Sequence, residues 1–162
     1  MMEEQKFILE NPNSFNLVHI FECGQCFRWN IENDGSYTGV IKSGVLNVKQ
    51  NGKNFIFNGK VDGDIEEIVK QYFDLNTDYE ALKQKLAKVD MYLKESIDYG
   101  YGIRILNQDL WECIISFIIS ANNNIPRIKK IIEKLSLNYG NEIEFNRKKL
   151  LYFSYCRGFV KS

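Results

Sequence analysis

An α+β fold is predicted for this 162-residue chain by three features of its sequence. Strand-like alternation is confined to residues 26–58, the turn dipeptides Asp34-Gly35 and Asn51-Gly52 fall between those alternating runs, and helical periodicity takes over from Asp64. Strands first and helices afterwards imply α+β, whereas an α/β chain would alternate the two.

The expected strands run from Cys26 to Ile31, Ser36 to Ile41, Val45 to Gln50 and Asn54 to Phe57. Asn-Gly and Asp-Gly supply the positive φ of tight hairpin turns, so the four runs read as an antiparallel meander. Phe27 and Trp29 alternate with polar neighbours and are expected on the buried face. Ile65, Ile68, Val69, Tyr72 and Phe73 fall on one helical stripe, with Asp62 or Asp64 as N-cap. Weaker helical patterns cover Asp78 to Val89 and Met91 to Asp98. Gln108 to Ala121 is apolar almost all the way round, which suits a helix buried on most sides. A sharply amphipathic helix follows, with Pro126 in its first turn, Asn124 as N-cap, a stripe of Ile128, Ile131, Ile132 and Leu135, and an end near Tyr139-Gly140. Beyond Asn141 the pattern is one short extended piece and a tail.

Lys plus Arg equals Asp plus Glu, 21 each, so the chain as a whole offers no attractive field to a polyanion. Contacts with nucleic acid must come from local clusters: Arg127, Lys129, Lys130 and Lys134 on one helix, and Arg147-Lys148-Lys149. The N-terminus lacks the apolar run of a secretory signal, and a cytoplasmic location is expected, with the nucleoid as its site in a prokaryote. Cys23-Gly24-Gln25-Cys26 is formally a C-x-x-C motif, and a redox or metal-binding module is one alternative for the chain. Zinc would need further ligands, which neither Cys113 nor Cys156 supplies from its place in the sequence, so no metal and no cofactor are expected.

The segment Asn122-Asn123-Asn124-Ile125-Pro126-Arg127 places three amides and a guanidinium at a helix-helix corner. Such groups can cap a turn, and they can also read base edges from a rigid mount. Together with Gly102-Ile103-Arg104-Ile105-Leu106-Asn107-Gln108-Asp109 and with Gly24-Gln25-Cys26-Phe27-Arg28-Trp29, this corner resembles the 8-oxoguanine DNA glycosylase family over roughly residues 12–153. The resemblance implies a TATA-binding-protein-like α+β domain over residues 1–100, the start of the family's helical body over residues 101–153, and a divergent tail over residues 154–162.

The same resemblance implies functions for individual residues. Gly24 is similar to the residue whose main-chain carbonyl accepts the N7–H that 8-oxoguanine carries and guanine lacks. Asn122 is similar to the side chain that plugs the hole left by the flipped base, with Asn123 and Asn124 beside it on the DNA, and Arg127 to the residue that hydrogen-bonds the orphaned cytosine. The implied partner is double-stranded DNA holding 8-oxoguanine opposite C. The family's Schiff-base lysine follows a glycine-rich hairpin, and no segment here matches Gly-x-Gly-x-Lys before a helix. The chain is therefore expected to recognise damaged DNA and to lack base-excision activity alone. Two alternatives accompany this: an active split glycosylase completed by a C-terminal fragment, and self-association through the apolar helix.

Overall fold

The computed structural model describes residues 2–153. In chain order the elements are β1 (Glu4–Leu9), α1 (Leu17–Phe21), β2 (Trp29–Ile31), β3 (Tyr37–Ile41), β4 (Gly44–Asn51), β5 (Asn54–Val61), α2 (Ile65–Tyr72), α3 (Tyr79–Leu86), α4 (Met91–Tyr99), α5 (Leu110–Ser120), α6 (Ile125–Tyr139), β6 (Glu142–Phe145) and β7 (Lys148–Leu151). The first five strands form one antiparallel sheet in the order β1-β5-β4-β3-β2, so the fold is α+β as expected. β2 to β5 are the predicted meander, and Gly52, with φ +61°, turns β4 into β5. β1 adds an unexpected fifth strand, pairing Phe7 with Phe57.

One face of this sheet carries the main core. Phe15, Phe21, Trp29, Phe55, Phe57 and Phe73 are buried together with Val48, Ile65 and Val69. Trp29 stacks on Phe21 with ring centroids 4.3 Å apart and donates from Nε1 to the Tyr72 hydroxyl at 2.9 Å. Its indole lies over Gly39, where a Cβ would stand 2.3 Å from the ring. Asp64 caps α2 by accepting from the Glu67 N–H at 3.0 Å, and that helix lays Ile65, Val69 and Tyr72 on the core.

The structure corrects the expected strand start, the expected burial of α5 and the pattern expected beyond Asn141. The strand expected from Cys26 begins only at Trp29, so alternation does not carry Phe27 into the same core. Phe27 instead packs with Trp111, Ile115 and Ile119 around Ile128, Ile132 and Phe153. α5 is not buried on most sides: Ser116 is its only buried residue, while Leu110, Phe117 and Ile118 are 74%, 78% and 63% exposed. It packs through one stripe against α6 and presents the rest of its apolar surface outward. Residues 141–151 form a hairpin, whose Asn146 and Arg147 both take left-handed φ, and its Ile143 and Phe145 cover Val40 and Val45 on the sheet's other face. The tail expected over residues 154–162, with Cys156, lies outside the described residues.

Candidate nucleic-acid interface

The corner between α5 and α6 is built by its own side chains. Ala121 closes α5, and Asn122 then takes φ +52°, a left-handed conformation that asparagine tolerates better than most residues. Asn123 donates from Nδ2 to the Ile119 carbonyl at 3.0 Å, and its Oδ1 accepts from the Asn124 N–H at 3.0 Å. Asn124 is the N-cap of α6, its Oδ1 accepting from the Arg127 N–H at 3.0 Å. Thus Asn123 and Asn124 shape the turn, while the Asn122 side chain has no hydrogen bond to another described residue. Arg127, one turn into α6, is exposed and forms no ion pair among the described residues. Ser120, the three asparagines and Arg127 line a shallow hollow of 370 Å³.

Gly24 lies next to this corner. Its φ is +85°, and a Cβ placed on it would stand 4.0 Å from Cδ1 of Ile125. The fold therefore brings together two motifs that are far apart in sequence. Behind Gly24, the Gln25 amide donates to the carbonyls of Ile20 and Arg104, both at 2.9 Å, and accepts from the Leu106 N–H at 3.0 Å. The Gln25 carbonyl accepts from Gln108 Nε2 at 2.7 Å. Arg104 is itself buried at 4% exposure, donating to the carbonyls of Phe73, Asp74 and Thr77 and to those of Asn13 and Ser14, and it stacks 4.2 Å from the Tyr79 ring. Asp109 caps α5 and pairs with Lys42 at 3.2 Å.

Arg28, from the Gly24 motif, is half-buried beneath α6 and β7. Its Nη2 donates to the Leu151 carbonyl, its guanidinium lies 5.9 Å from the Phe153 ring centre, and burial lowers its pKa. Glu112 of α5 shares that environment: burial pushes its carboxyl up to about 7, against the pull of Arg28 and with a smaller push from Asp109. The basic clusters are thinned by internal pairing. Lys129 donates to the Trp29 carbonyl at 2.8 Å, Lys148 pairs with Glu32, and Lys149 pairs with Glu142 at 3.2 Å.

The cysteine pair does not resemble a redox dithiol. Cys23 is exposed, Cys26 is buried, both are free, and burial pushes the Cys26 thiol up to about 12, the reverse of the activated thiolate such chemistry needs. Among the described residues no group of three or more His, Cys, Asp or Glu side chains is placed to hold a metal ion, and no helix is long and apolar enough to cross a membrane.

Residues 7–114 match the family described as 8-oxoguanine DNA glycosylase, N-terminal domain. The chain belongs to this family. It is 31% identical to the N-glycosylase/DNA lyase of Saccharomyces cerevisiae over 156 residues, covering 82% of this chain and 39% of the yeast protein. The Clostridium acetobutylicum 8-oxoguanine glycosylase/lyase in its apo-form superposes with a TM-score of 0.90 at 38% identity, covering 100% of this chain and 57% of that one. The same enzyme in complex with double-stranded DNA containing cytosine opposite 8-oxoguanine gives a TM-score of 0.91. This glycosylase-family chain thus spans just over half of that solved structure and less than half of the yeast relative. Gln25 and Gln108 are the site-building residues that sequence reasoning missed. A glutamine beside a glycine carries no local signal for hydrogen bonds formed about eighty residues away.

Proposed function

We propose that this chain is the damaged-DNA-reading portion of an 8-oxoguanine DNA glycosylase/lyase acting in base-excision repair, with the excision chemistry supplied by residues outside it. The observation that carries this reading is the contact between the Gly24 loop and the α5–α6 corner. It seats Gly24 against Ile125, which lies between the asparagines and Arg127, and among the described residues the Asn122 amide has no hydrogen bond and the exposed Arg127 guanidinium no ion pair.

In this reading a flipped 8-oxoguanine presents its N7–H to the Gly24 carbonyl. Asn122 enters the stack in its place, and Arg127 donates to the acceptors on the pairing edge of cytosine. The Arg127 donors match those acceptors, so C is the preferred opposite base. Asn123 and Asn124 contribute by holding the turn. Affinity is weak and salt-sensitive, since the chain carries no net charge and several of its lysines pair internally.

The test is binding of this chain, at low and physiological salt, to duplexes with 8-oxoguanine opposite C and with guanine opposite C. A lesion preference that Arg127→Ala weakens supports the reading; equal affinity for the two duplexes overturns it. Borohydride trapping on the lesion duplex is expected to give no covalent adduct, and an adduct would place the chemistry within this chain. The outward apolar face of α5 favours one extension, that a C-terminal glycosylase fragment seats there and completes an active enzyme. Sedimentation of the chain with and without such a fragment separates this from self-association.

A further inference from the structure

We propose that Gln25 is the positioning residue that aims the Gly24 carbonyl, so that discrimination between 8-oxoguanine and guanine depends on a side chain that need not touch DNA. This rests on the assignment of Gly24 as the lesion contact and names what makes that contact selective.

A carbonyl on a glycine at φ +85° is poorly constrained by its own residue, because glycine moves among more backbone conformations than any other. Its direction is set by the next residue, because the Gly24 carbonyl and the Gln25 N–H share one planar peptide unit. Gln25 is held at four points. Its Nε2 uses both hydrogens, on the Ile20 and Arg104 carbonyls; its Oε1 receives the Leu106 N–H; and its main-chain carbonyl receives the Gln108 amide.

The anchors are themselves fixed. Ile20 is fully buried in α1, and Arg104 has its guanidinium among main-chain carbonyls. Asn107 donates from its N–H to the Tyr72 carbonyl at 2.8 Å. Residues 104–108 then enter α5, which carries Asn122 at its far end. One glutamine amide therefore refers the lesion-reading carbonyl to the same segment that positions the base-replacing side chain. Lesion and normal base differ at this carbonyl by a single N7 proton, and a hydrogen bond weakens steeply with misalignment. A small rotation of the Gly24 peptide would remove the preference while leaving phosphate contacts intact.

Fluorescence anisotropy with the two duplexes, 8-oxoguanine opposite C and guanine opposite C, tests this on the full chain. Gln25→Met, close in volume and without the amide, is expected to lower the lesion preference about tenfold while affinity for the guanine duplex stays within about twofold. Gln108→Ala removes one bond at a half-exposed position and is expected to lower the preference about threefold. Hydrogen exchange at the Leu106 amide should quicken in Gln25→Met while the amides of β4 and β5 stay protected. Should Gln25→Met not fold, Gln108→Ala decides. A wild-type lesion preference that survives in the folded variants overturns the positioning role and leaves the Gly24 assignment standing. Equal loss on both duplexes reduces Gln25 to a structural residue and overturns the proposal. No preference in the wild-type chain overturns the Gly24 assignment and this inference with it.

Discussion

Gly24 meets Ile125 across the junction between the sheet domain and the helical corner: a Cβ on the glycine would stand 4.0 Å from the isoleucine Cδ1. That spacing is ordinary van der Waals contact, so the site is not closed to a methyl group. What reserves it for glycine is φ +85°.

Gly24→Ala is therefore expected to lose about 1 kcal/mol of stability from backbone strain, without a packing clash. Gly39→Ala is expected to lose about 3 kcal/mol or more, because its Cβ would lie 2.3 Å from the Trp29 indole. Urea unfolding of the two variants gives the comparison; equal losses would contradict the assignment of strain to one and overlap to the other.

At the asparagine corner the members separate by function. Asn124→Ala removes the N-cap of α6 and is expected to cost about 1 kcal/mol. Arg127→Ala, at an exposed side chain with no ion pair among the described residues, and Asn122→Gly, which keeps the left-handed φ that alanine would strain, leave stability within about 0.5 kcal/mol. Under the proposed function their effects are expected on DNA affinity, which anisotropy measures beside the unfolding curves.

Glu112 gives a pH dependence with a definite sign. Its carboxyl stands at about 7 in the folded chain against an ordinary 4.5, so the folded state holds the proton more tightly than the unfolded state. The associated stability is present below 4.5 and is lost as pH rises through 7, by up to about 3 kcal/mol. Glu32 and Asp34 are shifted below their ordinary values and act in the acid range beneath this window. Melting temperature should fall from pH 5 to pH 8, and Glu112→Gln should flatten that slope.

Arg104→Met leaves the carbonyls of Phe73, Asp74 and Thr77 without their donor and removes the stack on Tyr79. The expected loss is about 3 kcal/mol by chemical denaturation, because buried main-chain acceptors are left unpaired.

The meander was legible because its turns carry Asp-Gly and Asn-Gly, and α6 because Asn124, Pro126 and a clean isoleucine stripe agree. β1 was not, since its alternating pattern includes Glu4 and Lys6 and reads as a polar terminus until β5 is there to pair with. The β6–β7 turn hid behind Asn146-Arg147, where an arginine occupies a left-handed position usually marked by glycine. α5 misled because composition reports how apolar a helix is and not how many neighbours the fold provides. The residues of the candidate site were visible as two motifs, but their meeting and the Gln25 contacts join positions about eighty to a hundred residues apart, beyond the reach of local pattern.

Lys129 shows how a structural bond reshapes an electrostatic footprint. By donating to the Trp29 carbonyl at 2.8 Å it becomes a strut between α6 and β2, and its ammonium is withdrawn from the outer surface. In the proposed DNA complex the helix offers a phosphate backbone Arg127, Lys130 and Lys134, all exposed. Fewer condensed counterions are displaced on binding, and the logarithmic dependence of affinity on salt is shallower by about one than a count of charges along the helix would give.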